Sequence, residues 1–274
     1  MRHNTSASNL NDRALNYGDG CFTTIALLSG KLQLTEQHIQ RLTDDCEQLF
    51  IPFHNSELIY QQLAQIEDAN PRGSSVIKVL ISRGEGGRGY SAQGCTEPWF
   101  CISQHPFPNH YYEWQEKGVC VGIAQLTLAN QPALAGIKHL NRLEQVLVKQ
   151  ELLATECDDL LVLDANENVI EASAANVFWY SEADGWCTSS VAKCGIAGVM
   201  RNSILGFMNA RGVSIKIGEF PLSSVLSAKS LFMCNSLMTI VPVHTLLVKQ
   251  KATSYDVRTV AHFREDFMRW LEVQ

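Results

Sequence analysis

The chain has 274 residues, 46% of them apolar, and a formal net charge of -6. That length supports one large or two modest domains with ample core, and the acidic balance argues against a nucleic-acid partner, which wants a basic face. No apolar stretch approaches a membrane span, Met1-Arg2-His3-Asn4-Thr5-Ser6 lacks the apolar core of a signal peptide, and nine scattered cysteines with no Cys-x-x-Cys pair fit a reducing cytoplasm and give no support for a zinc or other metal site.

In chain order, residues 21–28 and 31–34 read as strands turning at Ser29-Gly30, a hairpin. Thr35 then looks like an N-cap. Ile39, Leu42, Cys46, Leu49 and Phe50 recur at helical spacing over 36–50. A second helix over 57–69 ends at Asn70-Pro71-Arg72-Gly73. Apolar runs at 76–82 and 99–103 read as strands. Residues 104–108, with two prolines, read as the linker between a domain over 1–107 and another over 108–274. Beyond it come a strand at 119–126 and a helical stripe of Leu140, Leu143, Val146, Leu147 and Leu152. Strands follow at 159–164, 169–170 and 177–180, then a short helix after Gly198, strands at 231–234 and 241–248, and a closing helix over 262–273. Strands and helices mix without strict alternation, which points to α+β halves and not to a doubly wound sheet.

Gly84-Glu85-Gly86-Gly87-Arg88-Gly89 matches the G-x-G-x-x-G pattern. The dinucleotide fingerprint needs a helix opening at the third glycine, whereas Tyr90-Ser91-Ala92-Gln93-Gly94 follows here. A substrate loop is the better functional reading, since the forks of Arg83 and Arg88 match carboxylates; a solvated surface loop is the plain alternative.

Three other features gain weight from their order. Lys138 stands between an apolar approach and a helix. Glu171 opens a small-residue turn running to Asn176. Gly195-Ile196-Ala197-Gly198 is a phosphate-sized turn. Singly, they read as a solvated lysine, a surface acid and an ordinary loop. Together they are a Schiff-base amine, a partner for a pyridine nitrogen and backbone donors for a phosphate, the set that pyridoxal 5′-phosphate needs. Arg41, one turn after His38, reads either as a solvated helix face or as a phosphate clamp.

The chain resembles the aminodeoxychorismate lyases, within the class-IV pyridoxal-phosphate family that also holds branched-chain and D-amino-acid aminotransferases. The resemblance rests on Asp12-Arg13-Ala14, Tyr17-Gly18-Asp19-Gly20-Cys21-Phe22-Thr23-Thr24, His38-Ile39-Gln40-Arg41-Leu42, the Arg83 to Tyr90 loop, Gly136-Ile137-Lys138-His139-Leu140-Asn141-Arg142, Glu171 to Asn176 and Gly195 to Arg201. It implies a two-domain, fold type IV architecture: a small N-terminal α/β domain and a larger C-terminal domain with a mixed, barrel-like sheet that carries the lysine. It implies that Lys138 carries the cofactor and that Glu171 keeps the ring nitrogen protonated. It implies further that Arg41, the amides of Ile196 and Ala197, and Asn235-Ser236 hold the phosphate. Ala197 departs from the asparagine expected there. The implied reaction is α,β-elimination through an external aldimine, converting 4-amino-4-deoxychorismate to 4-aminobenzoate and pyruvate for folate synthesis. Lys138 is the base, Thr24 the proton donor or relay, Arg88 and Arg83 bind the carboxylates, and Tyr17 lines the pocket. Homodimers are implied too, with the loop of one subunit serving the other's site. The competing readings are a D-amino-acid or branched-chain aminotransferase, with glycine expected at Thr24 in the branched-chain enzymes, and a silent binding protein, which need not keep Lys138, Glu171 and Arg41.

Overall fold

The computed structural model describes residues 10–273; the stretch read above for a signal peptide lies outside them. The chain divides into two compact units. One is the chain up to Pro108 together with Ile137–Arg142; the other is Asn109–Gly136 with everything from Leu143 onward.

The N-terminal unit contains α1 (Arg13–Tyr17), β1 (Gly20–Leu28), β2 (Lys31–Leu32), α2 (Thr35–Gln48), α3 (Ser56–Ala69), β3 (Ser75–Ser82) and β4 (Trp99–Pro106). Its sheet runs in the order β2-β1-β3-β4 and is antiparallel throughout. Alternation along β1 turns Cys21, Thr23 and Ile25 inward and leaves Phe22 and Thr24 on the other face. The inward face packs Ile25, Ile77, Val79 and Ile81 against Ile39 and Leu42 of α2 and Ile59 and Leu63 of α3. The expected linker is largely strand: β4 continues to Pro106, which an edge strand tolerates because its outer N–H side needs no partner.

Since β2 is only two residues long, it leaves β1 open on that side near Gly20 and Phe22. Ile137–Arg142 takes that edge. Phe22 N donates to Lys138 O (3.0 Å), Leu140 N donates to Gly20 O (3.0 Å), and Cys21 bridges His139. Unmet strand groups at an edge seek a partner. The lysine therefore belongs with the N-terminal unit, not with the C-terminal domain expected to carry it.

The C-terminal unit contains α4 (His110–Lys117), β5 (Val119–Leu128), α5 (Leu143–Leu152), β6 (Asp159–Asp164), β7 (Val169–Ala172), β8 (Asn176–Ser181), β9 (Gly185–Ser189), α6 (Val199–Ala210), β10 (Ile215–Gly218), α7 (Leu222–Leu226), β11 (Ser230–Asn235), β12 (Thr239–Val248), β13 (Lys251–Ser254) and α8 (Val257–Leu271). Its nine-stranded sheet runs β10-β9-β8-β11-β12-β5-β6-β7, with β13 on β12. Pairing is parallel at β9/β10, β5/β12 and β5/β6 and antiparallel elsewhere, so the sheet is mixed. Val119, Val121, Leu161, Val177, Trp179, Leu231, Met233 and Val241 fill its core.

Candidate active site

Both backbone polar groups of Lys138 are held. Its carbonyl accepts from Phe22, and its N–H donates to Asp45 Oδ2 at 3.1 Å. Its Nζ stands 4.7 Å from the centroid of the Phe22 ring, and Lys78 Nζ stands 4.7 Å from the same ring. Lys78 is in register with Thr24 on β1 and with Ser103 on β4. Directly opposed residues share a face, so Thr24, Lys78 and Ser103 form a row beside Phe22. Lys78 is half-buried and forms no ion pair among the described residues. A partly desolvated cation without an acid is poised for an anion. Sequence reading missed Lys78; the signal was a lysine inside an apolar, β-branched strand, where lysine is disfavoured.

On the other face of β1, Thr23 Oγ1 lies 2.6 Å from His38 Nδ1 and accepts a hydrogen bond from Arg41. His38 Nε2 and Arg41 Nε are buried and have no hydrogen-bond partner among the described residues. Burial, with the charges of Arg41 and Lys138, holds His38 well below its ordinary value and thus neutral. Burial also lowers Arg41 to about 10, against the opposing pull of Asp45, so Arg41 stays cationic at neutral pH. Buried donors on a cation, left unmatched, fit a phosphate.

In the C-terminal unit, buried Glu171 accepts from Ile196 N at 3.0 Å through Oε2 and from Gln145 Nε2 at 3.4 Å through Oε1. Ala197 N donates to Gly136 O and Gly136 N to Gly195 O, both at 3.0 Å. The amides of Ile196 and Ala197, expected to hold a phosphate, are therefore already engaged. The donors that remain belong to the first turn of α6, at Val199 and Met200. Its N-cap Gly198 offers no side-chain cap, and first-turn amides have no intrahelical acceptor. Such a helix N-terminus is an anion site. A Cβ on Gly198 would sit 2.2 Å from Asn176 Oδ1, so only glycine lets the turn close while Asn176 Nδ2 donates to Ile196 O at 2.8 Å. The side chain of Asn235 donates to Ala174 O and accepts from Leu237 N and Met238 N, bracing the turn that carries Ser236. The neighbouring Ser236 hydroxyl is half-buried with no hydrogen bond among the described residues.

The glycine loop returns to the N-terminal unit. Arg83 is buried; its Nε pairs with Asp19 at 2.8 Å, and its two terminal nitrogens donate to Phe50 O and Leu49 O at 2.6 Å. All three guanidinium nitrogens of Arg83, expected to bind a substrate carboxylate, thus have partners inside the unit. Arg88 is exposed and forms no ion pair among the described residues. Arg13, given no role from sequence, holds the loop: its guanidinium donates to the carbonyls of Gly89 (3.1 Å), Tyr90 (3.1 Å) and Ser91 (3.0 Å). Tyr17 lies under Arg13 at 4.9 Å and edge-on to Tyr90 at 5.5 Å.

Comparison with known proteins bears on this arrangement. The family model described as amino-transferase class IV matches residues 20–246. An aminodeoxychorismate lyase of Vibrio harveyi is 39% identical over 250 residues, covering 90% of each chain. The crystal structure of 4-amino-4-deoxychorismate lyase from Pseudomonas aeruginosa superposes with a TM-score of 0.85 at 33% identity, covering 97% of this chain and 96% of that one. A hypothetical aminotransferase from Mycobacterium tuberculosis, in its PLP-bound form, has a TM-score of 0.80 at 16% identity, covering 99% and 95%, and shares the fold.

Proposed function

The chain belongs to the class-IV aminotransferase family, and within it we propose that it is an aminodeoxychorismate lyase using pyridoxal 5′-phosphate to form 4-aminobenzoate and pyruvate. Likeness to two lyases along nearly the whole chain supports this. The observation that carries the chemistry is the Phe22 face, where the amine of Lys138 stands over the ring and Thr24 lies one alternation along the strand.

The donors suit the cofactor. Within the N-terminal unit, Arg41 offers donors for a phosphate; within the C-terminal unit, the first-turn amides at Val199 and Met200 and the Ser236 hydroxyl suit a phosphate, and Glu171 suits a ring nitrogen. When bound, the cofactor supplies an electron sink for the carbon that loses its proton. Lys138 takes the proton from carbon 4 of the substrate ring at Nζ; its peptide is fixed on both sides, so the amine alone moves. The bond from carbon 3 to the ether oxygen then breaks, and Thr24 hands or relays a proton to that oxygen. The leaving group departs as the enol of pyruvate, which ketonises to pyruvate by taking a proton at its methylene carbon and losing the hydroxyl proton, and the carbocycle becomes aromatic. Two substrate carboxylates need cations, and Lys78 and Arg88 meet that need; Tyr17 and Tyr90 form an aromatic wall beside the glycine loop.

The enzyme acts as a cytoplasmic homodimer in this reading. Unpaired thiols support the compartment, and the exposed Leu143, Val146 and Leu147 of α5 support an apolar contact with a second copy. No helix among the described residues is long and apolar enough to cross a membrane.

The test is a visible spectrum of the purified protein with coupled detection of pyruvate after aminodeoxychorismate is added. Cofactor colour that depends on Lys138, with pyruvate and 4-aminobenzoate released together, is the expected result. Amino transfer to a keto acid without pyruvate release moves the assignment to aminotransferase, and a protein that takes up no cofactor overturns both.

A further inference from the structure

Asp45 has no place in the chemistry above, yet it is one of the few acids in the N-terminal core, with 3% of its surface exposed. A buried carboxylate is a costly way to satisfy a single amide. A serine or an asparagine would accept the Lys138 N–H without a charge. The reason for a carboxylate is one turn back on α2, where half-buried Arg41, its Nε fully covered, carries a charge that acts on Asp45 without a direct ion pair among the described residues. Asp45 therefore touches two separate parts of the site: the peptide of the lysine through a hydrogen bond, and the phosphate clamp through charge.

We propose that Asp45 is a positioning residue that fixes the Lys138 peptide by accepting its N–H and moderates the grip of Arg41 on a phosphate by balancing its charge. The inference rests on the assignment of Arg41 as the clamp and Lys138 as the cofactor lysine. The two roles separate by substitution. Asp45→Asn keeps an acceptor for the N–H and removes the charge; Asp45→Ala removes both.

Arg41 and Asp44 from α2, Lys138 from the 137–142 segment and Cys21 from β1 are the ionisable groups acting on or coupled to Asp45. A phosphate arriving at Arg41 adds negative charge beside Asp45 and favours its protonated form. By linkage, the ionised carboxylate opposes phosphate binding.

The experiment uses pyridoxamine 5′-phosphate, which carries the phosphate and ring but forms no imine with Lys138. Its Kd is measured for the wild type and Asp45→Asn across pH. The wild-type Kd should exceed the Asn variant's by about threefold to tenfold at neutral pH, and the ratio should fall toward one below roughly pH 5. In parallel, exchange of the Lys138 amide is followed by NMR in the cofactor-free protein. It should quicken about tenfold or more in Asp45→Ala and stay near wild type in Asp45→Asn. A Kd ratio that is flat with pH overturns the charge role. Unchanged amide exchange in the Ala variant, or fast exchange in the Asn variant, overturns the positioning role. If Asp45→Ala fails to fold, the Asn variant decides both through its Kd ratio and its amide exchange. A wild type that binds no pyridoxamine phosphate refutes the cofactor reading instead, while the exchange arm still judges the hold on Lys138.

Discussion

Adjacent residues part ways on the first strand. Thr23 turns to the core and meets His38 and Arg41, while Thr24 turns to the face shared by Lys138 and Lys78. In the proposed reading, the hydroxyl pair would serve phosphate clamp and reacting amine from opposite sides of one backbone. Removing the Lys78 charge should leave cofactor colour intact and lower kcat/KM about 10- to 100-fold, as Lys78→Met assayed by pyruvate release would read, because a desolvated ion pair with the substrate is lost. Equal loss of cofactor and activity would remove Lys78 from the substrate site. Asp45 makes a separate prediction about stability. Burial raises it from 3.8 to about 6, against the lowering effect of Arg41 and the Lys138 amide. The folded chain holds this proton more tightly than the unfolded one. Its contribution is complete below about pH 4 and is lost as pH rises through about 6. Asp45→Asn should accordingly stabilise the protein at pH 7 by on the order of 1–3 kcal/mol and change little near pH 4, read as denaturation midpoints at the two pH values.

At the scale of elements, the turn into α6 joins three jobs. Ile196 N engages Glu171, Ala197 N engages Gly136, and Gly198 opens the helix against Asn176. One substitution tests the arrangement. Gly198→Ala drives a methyl into Asn176 and displaces the first turn, so it should weaken pyridoxal phosphate binding by roughly tenfold or more, measured by equilibrium titration, with a loss of stability of about 1–3 kcal/mol. The glycine loop has its own organiser. Arg13 reaches three successive carbonyls, at Gly89, Tyr90 and Ser91, and Asp19 holds it in place beside Arg83. Burial works against ionisation of Asp19, but hydrogen bonds from Arg83 and Arg13 prevail and lower its carboxyl. Arg13→Lys keeps the charge and loses the fork, and limited proteolysis should then cut within residues 84–94 well before the rest of the chain. An unchanged cleavage pattern would show that the glycines alone set the loop.

For the molecule as a whole, the acidic balance of -6 is opposite in sign to the face on which Lys138 and Lys78 act. A dianionic substrate is drawn by local charge, not by net charge, so KM should rise with ionic strength while kcat holds; a salt-independent KM would argue for recognition by shape. The α5 surface predicts that Leu147→Glu shifts the sedimentation profile toward monomer. The sequence alone determined the strands and helices with long periodic patterns, because burial on one face imposes a period of two or 3.6 on residue type. It also carried Lys138, Glu171, Arg41 and Thr24 as candidates, since each stands in a motif of linked residues. The short elements α1, α4, α7, β9, β10 and β13 are not legible in it, their few residues showing too little periodicity. Only tertiary structure decided which donors are free. The fork of Arg83 and the amides of Ile196 and Ala197 look available in one dimension and are taken in three, whereas Lys78, Val199, Met200 and Ser236 look ordinary and have no hydrogen-bond acceptor or ion pair among the described residues. It likewise moved the lysine to the N-terminal unit, because a two-residue β2 leaves an edge that 138–140 fill. Hydrogen-bond supply depends on which distant groups the fold brings near, and a linear pattern holds no record of those partners.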